Sequence, residues 1–108
     1  MKAAPFGYVR PLSLDEAVAE LGRAGDGGKV LAGGQSLMPV LAMRLARPDT
    51  LIDINAVESL GRIRRDGGYL EIGATARQRE AERAPETAAV PLLGMALPWV
   101  GHRELRSR

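Results

Sequence analysis

From Lys29 to Pro39 the chain reads Lys-Val-Leu-Ala-Gly-Gly-Gln-Ser-Leu-Met-Pro, and this stretch limits the fold more than any other. Lys29-Val30-Leu31-Ala32 is a short apolar run and predicts a buried strand. Gly33 and Gly34 break it, because adjacent glycines favour conformations that strands do not use. Ser36 stands where a helix cap belongs, which predicts a helix from about Leu37 to Ala46. Pro39 falls in the first turn, where its missing N–H costs nothing, and Pro48 limits the far end. A strand that passes through two glycines straight into a helix is half of an α/β unit.

The flanking residues supply the rest of that unit. Phe6 to Arg10 alternates like a short strand and is closed by Pro11. Ser13-Leu14-Asp15-Glu16 fits a capping box, with Leu14, Ala17, Val18 and Leu21 along one helix face. That helix is expected to end at the Gly25-Asp26-Gly27-Gly28 cluster. Thr50-Leu51-Ile52-Asp53-Ile54 is the next strand. The order β-α-β-α-β argues for a parallel or mixed α/β layer.

After residue 58 the pattern changes. Ile63 to Ile72 reads as a hairpin turning at Asp66-Gly67-Gly68, with Leu70 and Ile72 inward and Glu71 outward. Thr75 and Gln78 fit a second capping box, opening a helix to about Ala84. A last helix is expected from Thr87 to Leu97, with Pro91 in its first turn. The organisation is thus α+β with α/β-like character: a first subdomain over 1–58, and the beginning of a second over 59–108.

Composition removes several classes of function. There is no cysteine, so disulfides, a thiolate nucleophile and cysteine-bound zinc or iron–sulfur clusters are excluded from this chain. His102 is the one histidine, which leaves no histidine-based metal site to expect. The net charge of +2 is not gathered into a stripe with interleaved aromatics, as nucleic-acid binding needs. No run approaches the length of a membrane span, and no apolar run follows the N-terminal charge as in a signal peptide. A cytoplasmic location is the expectation.

The glycine turn is the place where chemistry could sit. Free backbone N–H groups at a helix start, beside residues without a Cβ, can cradle a phosphate or pyrophosphate. A tight turn that merely needs glycine explains the same residues equally well. The stretch matches neither a Walker loop nor G-x-G-x-x-G.

Five segments carry a family resemblance, in order along nearly the whole chain. Phe6-Gly7-Tyr8-Val9-Arg10-Pro11-Leu12-Ser13-Leu14-Asp15-Glu16-Ala17 resembles the opening of the flavoprotein subunits of aerobic carbon monoxide dehydrogenase and related xanthine-dehydrogenase-type enzymes. Ala32 to Pro39 resembles their first FAD loop, and Leu51-Ile52-Asp53-Ile54-Asn55 the strand after it. Ile72-Gly73-Ala74-Thr75 with Arg77, and Pro91-Leu92-Leu93, recur in their places. The resemblance implies the first part of an FAD-binding domain of the PCMH or vanillyl-alcohol-oxidase type. It implies FAD bound through Leu31, Ala32, Gly33, Gly34, Gln35, Ser36, Leu37 and Met38, with Gly73, Ala74 and Thr75 near the flavin. It also implies a hetero-oligomeric molybdenum hydroxylase, in which an iron–sulfur subunit passes electrons from a molybdopterin subunit to FAD and on to an external acceptor. No catalytic side chain is implied.

Residues Gly101 to Arg108 resemble the segment that leads into a second glycine loop, Gly-Thr-x-Gly-Gly, with Ser107 where Asn is usual. That loop lies past Arg108, so half a cofactor site is expected here. The rival readings are a non-catalytic remnant and a module that docks on a partner without holding FAD. Among single residues, Asp53 is expected to satisfy nearby backbone N–H groups. Arg77, Arg79 and Arg83 are expected to form a solvated face. His102 is expected to be exposed, and Trp99 to pack against a core or a neighbour.

Overall fold

Ser13 opens the first helix as its neighbours predict. In the computed structural model, which describes residues 1–108, strand β1 spans Gly7–Val9 and helix α1 spans Leu14–Ala24. The Ser13 hydroxyl accepts the Glu16 N–H at 3.1 Å. The Glu16 carboxylate reaches one residue past the expected partner and accepts the Leu12 N–H at 2.9 Å. Gly25, at φ 57, closes the helix in a left-handed conformation open to glycine. A 3-10 turn over Gly25–Gly27 leads into β2, Gly28–Leu31. Helix α2, Leu37–Ala42, and strand β3, Thr50–Asp53, follow.

The three strands form a parallel sheet in the order β1-β3-β2. Parallel neighbours need crossover connections, and the segments carrying α1 and α2 supply them. β3 is central and therefore the most apolar: Leu51 and Ile52 are fully buried, as is Val57 just beyond. The expectation of a buried strand at Lys29–Ala32 is corrected. β2 bonds to β3 alone and is an edge, so Lys29 and Val30 are exposed. Of the predicted α1 face only Ala17 is buried, while Leu14, Val18 and Leu21 are not. Three strands make a sheet about 10 Å wide, too narrow to cover the flanks of a helix of about the same diameter.

Helix α2 is shorter than expected, and Ser36 does not cap it. Ser36 already has helical backbone angles, φ −90 and ψ −39, and its side chain makes no capping bond. A capping serine needs an extended backbone to aim its hydroxyl back at the first turn. At the other end Arg44 takes φ 56, the one non-glycine residue with positive φ. Leu45 N–H then reaches the Val40 carbonyl at 3.0 Å. This is a Schellman-type stop, closed by an arginine where glycine is usual.

Residues Met1–Ser59 and Leu60–Arg108 form two compact units. In the second, β4 (Ile63–Asp66) and β5 (Tyr69–Ile72) pair antiparallel, and Asp66 faces Tyr69 across the turn. Gly67 has φ 58, as a two-residue hairpin turn requires. Arg64 grips Glu71 across the strands through two bonds of 3.0 and 3.1 Å. Leu70 is half-buried as expected, but Ile72 is exposed. Helix α3 is Gln78–Arg83, so the expected Thr75 cap is corrected. Thr75 N–H is committed to the Leu60 carbonyl at 2.9 Å and Ala76 N–H to that of Gly73 at 3.0 Å. The chain is still turning there. The helix opens at Arg77, whose N–H donates to Glu80 Oε2 at 3.0 Å.

The expected helix over Thr87–Leu97 is broken in two. A 3-10 turn covers Pro85–Ala89, and α4 begins only at Pro91 and ends at Ala96. Pro91 pushes Val90 out of the helical region, to φ −127 and ψ 80. Ala81, Thr87, Leu97 and Arg106 are the buried residues around α3 and the turns after it. Trp99, expected against a core or a neighbour, is exposed and so packs against no core of this chain. No helix is long and apolar enough to cross a membrane.

Candidate functional site

The end of β2 is held from the side by the end of β3. Ile54 N–H donates to the Leu31 carbonyl at 3.0 Å. One residue on, the Asn55 side-chain amide donates to the Ala32 carbonyl at 2.8 Å. The backbone is therefore fixed as far as Ala32 and turns away at Gly33. Gly34 has φ 76, and a Cβ there would lie 3.2 Å from Met38 Cγ and 3.4 Å from Leu31 Cδ1. Glycine is needed at this turn both for conformation and for space.

Leu31, Ala32, Gly34 and Leu37 are half-buried, and Gly33, Gln35, Ser36 and Met38 are exposed. The first bond back into the turn is from Met38 N–H to the Gly34 carbonyl, at 2.9 Å. The N–H groups of Gly33 through Leu37 have no acceptor within the chain. Adjacent unpaired donors on an exposed glycine turn favour an anion. No Asp or Glu stands between Asp26 and Asp49 to oppose it. Helix α2, with six residues, adds little dipole, so any attraction for an anion here comes from the loop N–H groups themselves.

Gly73, Ala74 and Thr75 lie in the second unit, in the turn after β5. Gly73 is half-buried, Ala74 exposed and Thr75 buried. Gly73 N–H donates to the Arg62 carbonyl at 2.7 Å. Arg77, Arg79, Glu80, Arg83 and Ser107 line a shallow cleft in this unit. His102 is exposed.

Asp53 is buried, at 8 % exposure, and has the backbone role expected of it. Its Oδ1 accepts the Asn55 N–H at 2.9 Å and the Asn55 side-chain amide at 2.6 Å. Its Oδ2 accepts the Tyr8 hydroxyl and lies 4.0 Å from the Arg10 guanidinium. Burial opposes the charge. The bonds from Tyr8 and Asn55 and the Arg10 charge outweigh burial, so the carboxyl titrates below its ordinary 3.8. The same hydrogen bond from Tyr8 raises the phenol's pKa. Sequence reasoning missed the part of Tyr8 and Asn55. The Asp53-Ile54-Asn55 spacing of an Asx-turn could have found Asn55.

A pH dependence follows. Ionised Asp53 contributes stability that is complete above its unfolded pKa and is lost as pH falls through the lower folded value. The difference in urea midpoint between the natural chain and Asp53→Asn should be constant above about pH 5 and shrink below about pH 4. A difference that is flat from pH 7 to pH 3 would refute this assignment.

A strand-to-helix glycine turn with unpaired N–H groups, beside a parallel β1-β3-β2 sheet, is the arrangement of a nucleotide-cofactor domain. Residues 4–108 match the family described as the FAD binding domain in molybdopterin dehydrogenase. The chain belongs to that family, and its cofactor is FAD. It is 38 % identical to the 6-hydroxypseudooxynicotine dehydrogenase complex subunit alpha of Paenarthrobacter nicotinovorans, over all of this chain and 37 % of that one. It is 40 % identical to the carbon monoxide dehydrogenase medium chain of Hydrogenophaga pseudoflava, over 95 % of this chain and 36 % of that one. The solved carbon monoxide dehydrogenase of Hydrogenophaga pseudoflava superposes on the whole chain with a TM-score of 0.95 at 39 % identity, over 38 % of its own length. Quinoline 2-oxidoreductase from Pseudomonas putida 86 gives 0.94 at 37 %, again over 38 % of its length. The chain thus spans little more than a third of these relatives. Those named as subunits or medium chains are parts of multi-subunit dehydrogenases.

Proposed function

We propose that this chain is the FAD-binding, electron-transferring part of a molybdenum-hydroxylase-type oxidoreductase. Its partners in this reading are an iron–sulfur subunit and a molybdopterin subunit of one cytoplasmic hetero-oligomer. The observation that carries the reading is the row of unpaired N–H groups from Gly33 to Leu37, on a turn where Gly34 has φ 76. These N–H groups hold the pyrophosphate. Ala32, Gly33 and Gly34 let it approach the backbone, and Leu31, Gln35, Ser36, Leu37 and Met38 flank it. Gly73, Ala74 and Thr75 border the flavin. Bound FAD supplies the redox chemistry that joins one-electron iron–sulfur carriers to an external acceptor. The chain's own residues bind and orient, and none moves a proton.

The test is an FAD titration of the purified chain, followed by quenching of flavin fluorescence, with Gly33→Val/Gly34→Val as control. Valine at φ 76 is strained, and its branches block close approach. Saturable binding that weakens at least tenfold in the variant is the expected result, since strain of this kind costs roughly 1–3 kcal/mol. A natural chain that is folded by circular dichroism and shows no saturable quenching overturns the reading.

A further inference from the structure

The glycine turn does not set its own direction. Between β2 and α2 the segment has few internal bonds, and its entry is fixed by two donors from the β3 side, Ile54 N–H on Leu31 and the Asn55 amide on Ala32. The second donor is a side chain, and a side chain can swing. The Asp53 carboxylate keeps it from swinging. Oδ1 takes both the backbone N–H and the side-chain amide of Asn55, closing an Asx-turn around that residue. The Tyr8 hydroxyl and the Arg10 guanidinium hold Asp53 in turn through Oδ2. A buried carboxylate needs such partners, and here they come from β1, at the far edge of the same sheet, and the residue just after it.

We propose that Asp53 and Asn55 are positioning residues for the cofactor loop: Asp53 orients the Asn55 amide, and that amide anchors the Ala32 carbonyl, which aims the N–H groups of Gly33 and Gly34. The relevance to FAD rests on the function proposed above, whereas the anchoring itself does not. A peptide plane is rigid, so the fixed Ala32 carbonyl also fixes the N–H of Gly33 on the opposite side of the same plane. Without the anchor, two adjacent glycines have wide freedom, and ordering them falls to the ligand.

The test has two separate readouts on the full chain. The first uses no cofactor: 15N relaxation at the amides of Gly33, Gly34, Leu51 and Ile52, in the natural chain, Asn55→Ala, Asn55→Leu and Asp53→Asn. Asn55→Leu keeps the side-chain size and removes the donor without placing a second charge beside Asp53, so it remains informative if the alanine variant folds poorly. Order parameters at Gly33 and Gly34 are expected to fall from about 0.85 to below about 0.6 in both Asn55 variants, with Leu51 and Ile52 unchanged. Asp53→Asn, which keeps one acceptor oxygen, is expected to fall part of the way. The second readout is FAD affinity, expected to weaken about tenfold in Asn55→Leu. Loosened glycines in a chain that binds no FAD support the anchoring and defeat the functional reading. Glycine amides that stay ordered in both Asn55 variants overturn the anchoring, as does loosening shared equally by the β3 amides.

Discussion

Gly73→Ala is expected to destabilise the second unit by about 3 kcal/mol or more, beyond what an ordinary small-to-large change costs. An added Cβ would fall within the Leu60 carbonyl group, 2.6 Å from its carbon and 3.1 Å from the Arg62 nitrogen. Both obstacles are backbone and cannot turn aside as a side-chain tip does. Nor can Gly73 itself retreat. Its N–H is bonded to the Arg62 carbonyl at 2.7 Å, and two residues later Thr75 N–H is bonded to the Leu60 carbonyl at 2.9 Å. Moving either segment of this crossing breaks one of these bonds. Gly22→Ala is the natural control. It lies inside α1 with nothing within 4 Å of an added Cβ, so alanine should be neutral or stabilising by up to about 1 kcal/mol. Urea unfolding followed by far-UV circular dichroism measures both. Equal midpoints for Gly73→Ala and the natural chain would show that the crossing is not as close as described. The result also bears on the cofactor. Gly73 is fully accounted for by packing against Leu60, so any loss of FAD binding in Gly73→Ala must first be corrected for lost fold.

Much of the architecture was legible because it rests on short-range rules. Ser13 with Glu16, the glycines after α1, and the Gly67-Gly68 hairpin turn each act within four or five residues, and each is found where the spacing puts it. The glycine turn at Gly33-Gly34 was legible for the same reason. What failed depended on partners distant in sequence or on competing local bonds. Ser36 and Thr75 both have capping chemistry, yet neither caps. Ser36 is already helical, and Thr75 is held by Leu60. The exposure of Val30 follows from strand order, β3 lying between β1 and β2, and one-strand patterns do not contain strand order. Pro91 suits the first turn of a helix in the sequence pattern, but its effect on the preceding Val90 starts a new helix there. In the candidate site the turn itself was visible. Its anchor was not, because Tyr8 reaches Asp53 across 45 residues and the Asn55 amide reaches the Ala32 carbonyl across 23.

Arg106 gave no sequence signal at all, and its removal is the second large effect expected. It sits among basic residues near the end of the sequence, a pattern that reads as solvated. Instead it is buried, at 8 % exposure. Its Nε meets Glu82 Oε2 at 3.2 Å, and Nη1 reaches the Val100 and Gly101 carbonyls at 3.3 and 3.4 Å. One guanidinium thus ties α3 to the turn after the 3-10 segment Leu97–Trp99. Arg106→Ala should cost about 2–3 kcal/mol. The full penalty for an orphaned buried charge is not reached, since the Glu82 side chain keeps 26 % exposure and can recover water. Arg106→Lys should recover less than half, because an ammonium cannot present the fork that serves a carboxylate and carbonyls together. Urea unfolding gives the size, and the double variant with Glu82→Ala gives the coupling. Trypsin cleavage after the exposed Arg103 should quicken in Arg106→Ala before the rest of the chain becomes sensitive, because local opening then needs less free energy than global unfolding. A fully retained midpoint in Arg106→Ala would mean that Leu97 and Ala81 hold this segment by packing alone.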